Sequence, residues 1–122
     1  MDSKNSKIQD FLTLIDQKKD SDDFVRDQQN LLSKIKSDKQ FQQKLKENDA
    51  LSHELRYAMY LLLEQHELCT CALAEIVQMS EPTVTHHLKI LMDANLILAQ
   101  KQGLYTIYYT KENFRKKNFP TL

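Results

Sequence analysis

The chain has 122 residues with 17 basic and 17 acidic side chains, a formal charge of 17 − 17 = 0, and is 41% apolar and 28% charged. That length excludes two ordinary domains, the apolar content excludes a wholly disordered chain, and the charge balance excludes a global basic field, so any nucleic-acid contact must come from a local face. No apolar run approaches the roughly 18 residues that span a bilayer, and the opening MDSKNSKIQD lacks the apolar centre of a secretion signal, so a cytoplasmic protein without membrane contact is expected.

One glycine and two prolines in the whole chain favour helix. Ile8, Phe11, Leu12 and Ile15 make one helical stripe that DSDD at 20–23 interrupts. Ser21, followed by Asp22 and Asp23, starts a second helix with Phe24, Gln28, Leu31, Leu32 and Ile35 along one side. Ser37 and Gln40 have the capping-box spacing, which predicts a short third helix carrying Phe41 and Leu45. Residues 1–48 hold ten basic against nine acidic side chains and are expected to form an amphipathic extension that packs on the body or on a second copy.

From residue 49 the elements follow closely. Leu55, Met59, Leu62 and Leu63 form the inner face of a core helix. CTCALAEIVQM gives Leu73, Ile76 and Val77 as a stripe on a short helix. SEPTVTHHLKILMDANL opens with Ser80 as N-cap and Pro82 in the first turn, and lines Val84, Leu88 and Leu91 inward. Two helices joined by the tight MSEP corner form a helix-turn-helix, here without the glycine often found in the turn. LILAQ and LYTIYYT around KQG then read as a β-hairpin. The fold expected is mainly α: a winged helix-turn-helix at 49–111 with a two-stranded wing, a helical extension at 1–48 and a short tail at 112–122.

LSHELRYAMYLLL, ELCTCALAEI, SEPTVTHHLKILMDANLI and QKQGLYTIYY, in order and without gaps, resemble the ArsR/SmtB family of metal-responsive transcriptional repressors. The resemblance spans Leu51 to Thr110. It implies a homodimer that binds double-stranded operator DNA and releases it when an inducer binds. The dimer is expected to form through the N-terminal helices, because the tail is too short to supply a second partner helix.

With Val84, Leu88 and Leu91 inward, 100° per residue places Pro82, His86 and Lys89 on the opposite side, flanked by Thr83 and Thr85. Ser80, Thr83, Thr85, His86 and Lys89 are therefore the candidate DNA-contacting residues of the second helix. Lys101 and Gln102, beside the turn glycine, are the candidates in the wing. Glu81 repels phosphate but can accept from the amino group of a cytosine. His87 turns toward the apolar side and is expected to pack or hydrogen-bond.

Cys69 and Cys71 are the only cysteines. Within a regular helix, side chains two apart project about 200° from each other, so the helix must begin between the thiols, or bend, for both to share a ligand. Thr70 as N-cap achieves this, and the helix dipole there favours thiolate. Soft thiolates select soft or thiophilic ions. The resemblance likewise matches ELCTC to the inducer site of arsenite, antimonite, cadmium or lead sensors. It also departs from the family pattern, since Ala74 stands where arsenite sensors carry a third cysteine and the N-terminal arm has none. The family's other site, built from Asp, His and Glu on a C-terminal helix, is missing, so His66, Glu67, a water or a small thiol is left to complete the thiol pair.

No tightly bound cofactor is expected. Two other uses of the cysteines stay open, a thiol redox switch and plain packing. A disulfide-exchange enzyme is disfavoured because no strand is expected before Cys69, so the protein is read as a non-enzyme. A winged helix that binds another protein is the alternative function.

Overall fold

A computed structural model describes residues 3–120. It falls into two compact units, Met1–Gln42 and Gln43–Leu122. In the first, α1 (Ser3–Leu14) and α2 (Ser21–Ser37) are joined by a turn in which Asp16 takes a left-handed φ of 59° and Gln17 N–H returns to Leu12 O. The first helix thus ends before Ile15, well short of the acidic run. Leu12 is buried, while Phe11, Ile15, Leu31, Leu32 and Ile35 are exposed. Two expected helix starts move. Asp20, not Ser21, caps α2 by accepting from Asp22 N–H, and Asp38, not Ser37, accepts from Gln40 N–H at the start of α3 (Lys39–Ala50). A carboxylate one residue closer to the turn takes each cap, the role such side chains fill best.

The second unit contains the end of α3, then α4 (Glu54–Gln65), α5 (Thr70–Val77), α6 (Glu81–Asp93), the strands β1 (Leu68–Cys69), β2 (Ile97–Gln102) and β3 (Tyr105–Thr110), and α7 (Lys111–Asn118). The expected inner faces are realised. Met59 and Leu63 of α4 and Val84, Leu88 and Leu91 of α6 are fully buried, and Leu73, Ala50 and Ile97 complete the cluster. Cutting Leu88 to alanine in such a core costs about 2–5 kcal/mol. On α5 the face is rotated. Ala74 is buried beside Leu73, and Ile76 stays 51% exposed.

The wing has a third strand. The sheet order is β1-β3-β2, all antiparallel, with Leu68 opposite Tyr108 and Cys69 opposite Ile107. A strand therefore does precede the second cysteine. It is only two residues long and gains its partner from a segment far along the chain. Gly103, at φ +63°, turns the hairpin between Gln102 and Tyr105. In the helix-turn-helix corner, Gln78 adopts the left-handed conformation a glycine would otherwise supply, and the amides of Gln78 and Met79 both return to Ala74 O. Lys111–Asn118 form α7, capped by Thr110, and Asn113 Nδ2 donates to the carbonyls of Leu63 and Glu64 at the end of α4.

Candidate nucleic-acid interface and thiol site

Helix α6 begins at a well-built cap. Ser80 Oγ accepts from Thr83 N–H at 3.3 Å and donates to Thr83 Oγ1 at 2.9 Å, and Pro82 sits in the first turn where no amide proton is needed. The buried stripe of Val84, Leu88 and Leu91 fixes the rotation of the helix, so Thr83, Thr85, His86 and Lys89 all face solvent. Lys89 Nζ lies 3.3 Å from Asp93, an exposed pair of the kind that contributes little to stability. Lys101 and Gln102 lie on β2 rather than in the turn itself, opposite Thr106 and Tyr105. Gln102 Nε2 is held 3.4 Å from Gln100 Oε1 and from the Tyr109 hydroxyl. The turn presents a fully exposed Leu104 instead.

His87 packs and hydrogen-bonds, as its place on the helix implied. Its ring lies 4.7 Å from that of His53, and Arg56 Nη1 is 3.4 Å from its Nδ1. Burial pushes His87 below the ordinary histidine range, and His53, Arg56 and His86 push it further. His53 and Arg56 were not singled out from the sequence. They sit three residues apart on α4, and nothing local marks a contact with a side chain about thirty residues later.

At the start of α5 the structure corrects one assignment and brings the thiols together. Cys69, not Thr70, is the N-cap, and its Sγ accepts from Ala72 N–H at 3.4 Å. Because Cys69 is still extended and Cys71 is already helical, the two Sγ atoms converge to 3.0 Å. The thiol of Cys71 beside it, together with the Ala72 amide, lowers the pKa of Cys69. The same contact raises that of Cys71. Cys69 is therefore the more readily ionised of the two thiols.

Cys71 opens onto a groove of about 620 Å³ that runs past Glu75 and Gln78 to Ser80 and Glu81 at the start of α6. His66 is exposed, with Nδ1 turned to its neighbour Glu67 at 2.7 Å from the carbonyl and 3.2 Å from the carboxylate. Among the described residues no three His, Cys, Asp or Glu side chains gather as a metal site, so His66 does not stand with the thiols. The donor set present is two sulfurs. That suits a thiophilic centre able to bond two thiolates better than an ion needing four protein ligands.

Residues 54–98 match the family model described as bacterial regulatory protein, arsR family. That segment is similar to the arsR family. Over 71 residues the chain is 37% identical to an arsenical resistance operon repressor of Bacillus subtilis, covering 57% of this chain and 65% of that one. Over 64 residues it is 39% identical to an arsenical resistance operon repressor of Staphylococcus xylosus, covering 52% and 62%. The chain thus spans under two thirds of the length of these relatives. The fold matches the homodimeric winged helix-turn-helix DNA-binding domain of a possible ArsR-family transcriptional regulator from Mycobacterium bovis, with a TM-score of 0.57, 24% identity and coverage of 65% of this chain and 73% of that one. Among the described residues no helix is long and apolar enough to cross a membrane.

Proposed function

We propose that the protein is a cytoplasmic, non-enzymatic transcriptional repressor that holds operator DNA as a homodimer and releases it when a thiophilic inducer binds Cys69 and Cys71. The observation that carries this proposal is the pairing, within one segment similar to the arsR family, of a solvent-facing α6 with two convergent thiols at the start of the helix packed against it. In the proposed complex α6 enters the major groove. Thr83, Thr85 and His86 of α6 read base edges, while Ser80, Lys89 and the wing residues Lys101 and Gln102 contact the backbone.

Arsenite, when bound, supplies two As–S bonds, formed as two of its hydroxides leave as water with the thiol protons and the third hydroxide stays. Cys69 offers the first thiolate, since its pKa is already lowered. Committing its sulfur withdraws the cap from Ala72 N–H, and Cys69 also belongs to β1, which pairs with the wing strand β3. The first turn of α5, the corner at Gln78 and the start of α6 are joined in sequence and packing. A change at Cys69 is thereby passed to both DNA-contacting elements. The homodimer is supported by the exposed Phe11, Leu31, Leu32 and Ile35 of the first unit, which also forms an apolar groove of about 340 Å³ between α1 and α2.

The direct test is fluorescence anisotropy with DNA from upstream of the gene, at several salt concentrations. Binding that weakens steeply with salt and is saturable and sequence-selective is the expected result. No retention of any duplex at low salt would leave the protein-interaction alternative in its place. For the dimer, Leu31→Glu with Leu32→Glu should give a monomer by light scattering, and an unchanged mass would exclude this face as the interface.

A further inference from the structure

Beside the reading face, a cluster of imidazole and guanidinium side chains continues past His86. Its ring lies 5.4 Å from that of His87, which in turn lies 4.7 Å from that of His53 at the start of α4. Arg56 donates through Nη1 to His87 Nδ1 at 3.4 Å and is anchored through Nε to Ala50 O at 2.7 Å. Among the described residues the ion pairs involve other groups, and none of these four side chains meets a carboxylate within pairing distance. Three imidazoles and a guanidinium sharing one surface without a counter-charge repel each other's protonated forms. An anion at that surface removes the repulsion.

We propose that His53, Arg56 and His87 form a second binding site for a DNA backbone phosphate, beside the reading face of α6, and that this site takes up one proton from solvent when DNA binds. The proposal rests on the DNA-binding reading above and adds a contact and a pH response to it. The tautomers follow from the hydrogen bonds. Arginine can only donate, so His87 Nδ1 accepts from Arg56 and its own proton is on Nε2. His53 Nδ1 accepts from Leu55 N–H at 3.2 Å as the N-cap of α4, so it too carries its proton on Nε2.

At 3.4 Å the Arg56–His87 bond is long and weak. A phosphate oxygen offers the guanidinium a stronger, charge-assisted partner. Arg56 then gives up the imidazole for the phosphate while its Nε stays on Ala50 O. The freed Nδ1 of His87 takes a proton from water, and the resulting imidazolium lies beside the bound anion. His53 keeps its cap and donates to the phosphate from Nε2.

The sign follows directly. The charged groups that act on His87, from both α4 and α6, are His53, Arg56 and His86, and all of them disfavour its protonation in the free protein. A phosphate favours it, so the complex holds a proton that the free protein does not. Binding therefore strengthens as pH falls, and the added affinity is lost as pH rises through the pKa that His87 has in the complex.

Because a backbone contact is independent of sequence, the test needs no known operator. Anisotropy is measured with a fluorescent duplex of arbitrary sequence at low salt, from about pH 8 to about pH 6, a range that brackets histidine titration. Wild-type affinity should rise toward low pH by up to about tenfold per pH unit, the limit for one linked proton. His87→Gln should lose most of the rise toward low pH. His53→Asn, which preserves the helix cap, should weaken binding across the range, and Arg56→Gln should lower the slope of log K against log salt by about 1. Circular dichroism of each variant checks the fold, and Arg56→Lys, which keeps the charge, should retain most of that slope. An undiminished pH response in His87→Gln, or one abolished by His86→Gln instead, would overturn the proposal while leaving DNA binding in place. A wild type that retains no duplex overturns the DNA-binding reading itself, and this site with it.

Discussion

The starts of α5 and α6 are closed by the same device in two chemistries. At α5 the acceptor is Cys69 Sγ, 3.4 Å from the Ala72 amide, and at α6 it is Ser80 Oγ, 3.3 Å from the Thr83 amide. Both leave an extended cap residue followed by regular helix. The hydroxyl is a strong cap and indifferent to thiophilic ions. The thiol is a weaker cap, and its neighbour lowers its pKa, so a soft centre can take its sulfur away. In the proposed mechanism the difference lets one repeated motif fix the reading helix while leaving the helix beside it open to chemical control.

The comparison breaks most visibly on the α6 side. His86→Ala and Thr85→Ala should each cost about 1–3 kcal/mol of specific binding if they contact bases, measured by anisotropy on the upstream DNA. Glu75→Gln, on the exposed face of α5, should leave that affinity unchanged. A smaller effect is expected at the caps themselves. Ser80→Ala should lower the unfolding free energy by about 1 kcal/mol in urea titration, the usual loss for a hydroxyl N-cap. Cys69→Ser should move stability by only a few tenths of a kcal/mol, and upward, because serine caps better than cysteine. Ser80→Ala without a stability loss, or Cys69→Ser with a large one, would mean the two ends are not equivalent devices. The thiols can also be ranked by alkylation. With its pKa lowered by the Cys71 thiol and the Ala72 amide, Cys69 should become reactive at lower pH than Cys71 when iodoacetamide labelling is followed by mass spectrometry. The reverse order would show that the thiolate sits on Cys71.

The inner faces were legible in the sequence because burial follows helix periodicity. Val84, Leu88 and Leu91 on α6, and Met59 and Leu63 on α4, lie where the 3.6-residue repeat puts them. Ile76 shows the limit of that signal. On the two-turn α5 a small rotation buries Ala74 instead, and pattern alone does not resolve it. The convergence of the thiols was legible in outline, since a helix that starts or bends between them allows it and Cys69 proves to be the cap. Which residue caps was not, because the chain entering α5 is held by β1 pairing with Ile107 and Tyr108, a partner remote in sequence. The corner was legible although its glycine is absent, and the left-handed Gln78 is the local cost of that absence. The His53, Arg56 and His87 cluster was hidden for the same reason as β1: it is made by packing α4 against α6 rather than by any run of residues.

The central claim is that Cys69 and Cys71 couple inducer binding to DNA release. It is tested most directly by titrating arsenite into a preformed complex of protein and labelled upstream DNA, for wild type and for the double variant Cys69→Ser with Cys71→Ser. The wild type should release DNA as arsenite is added. The double variant should bind the DNA with nearly the wild-type affinity and stay bound throughout. Release of both at the same arsenite concentration would contradict the account and return the cysteines to the role of packing residues.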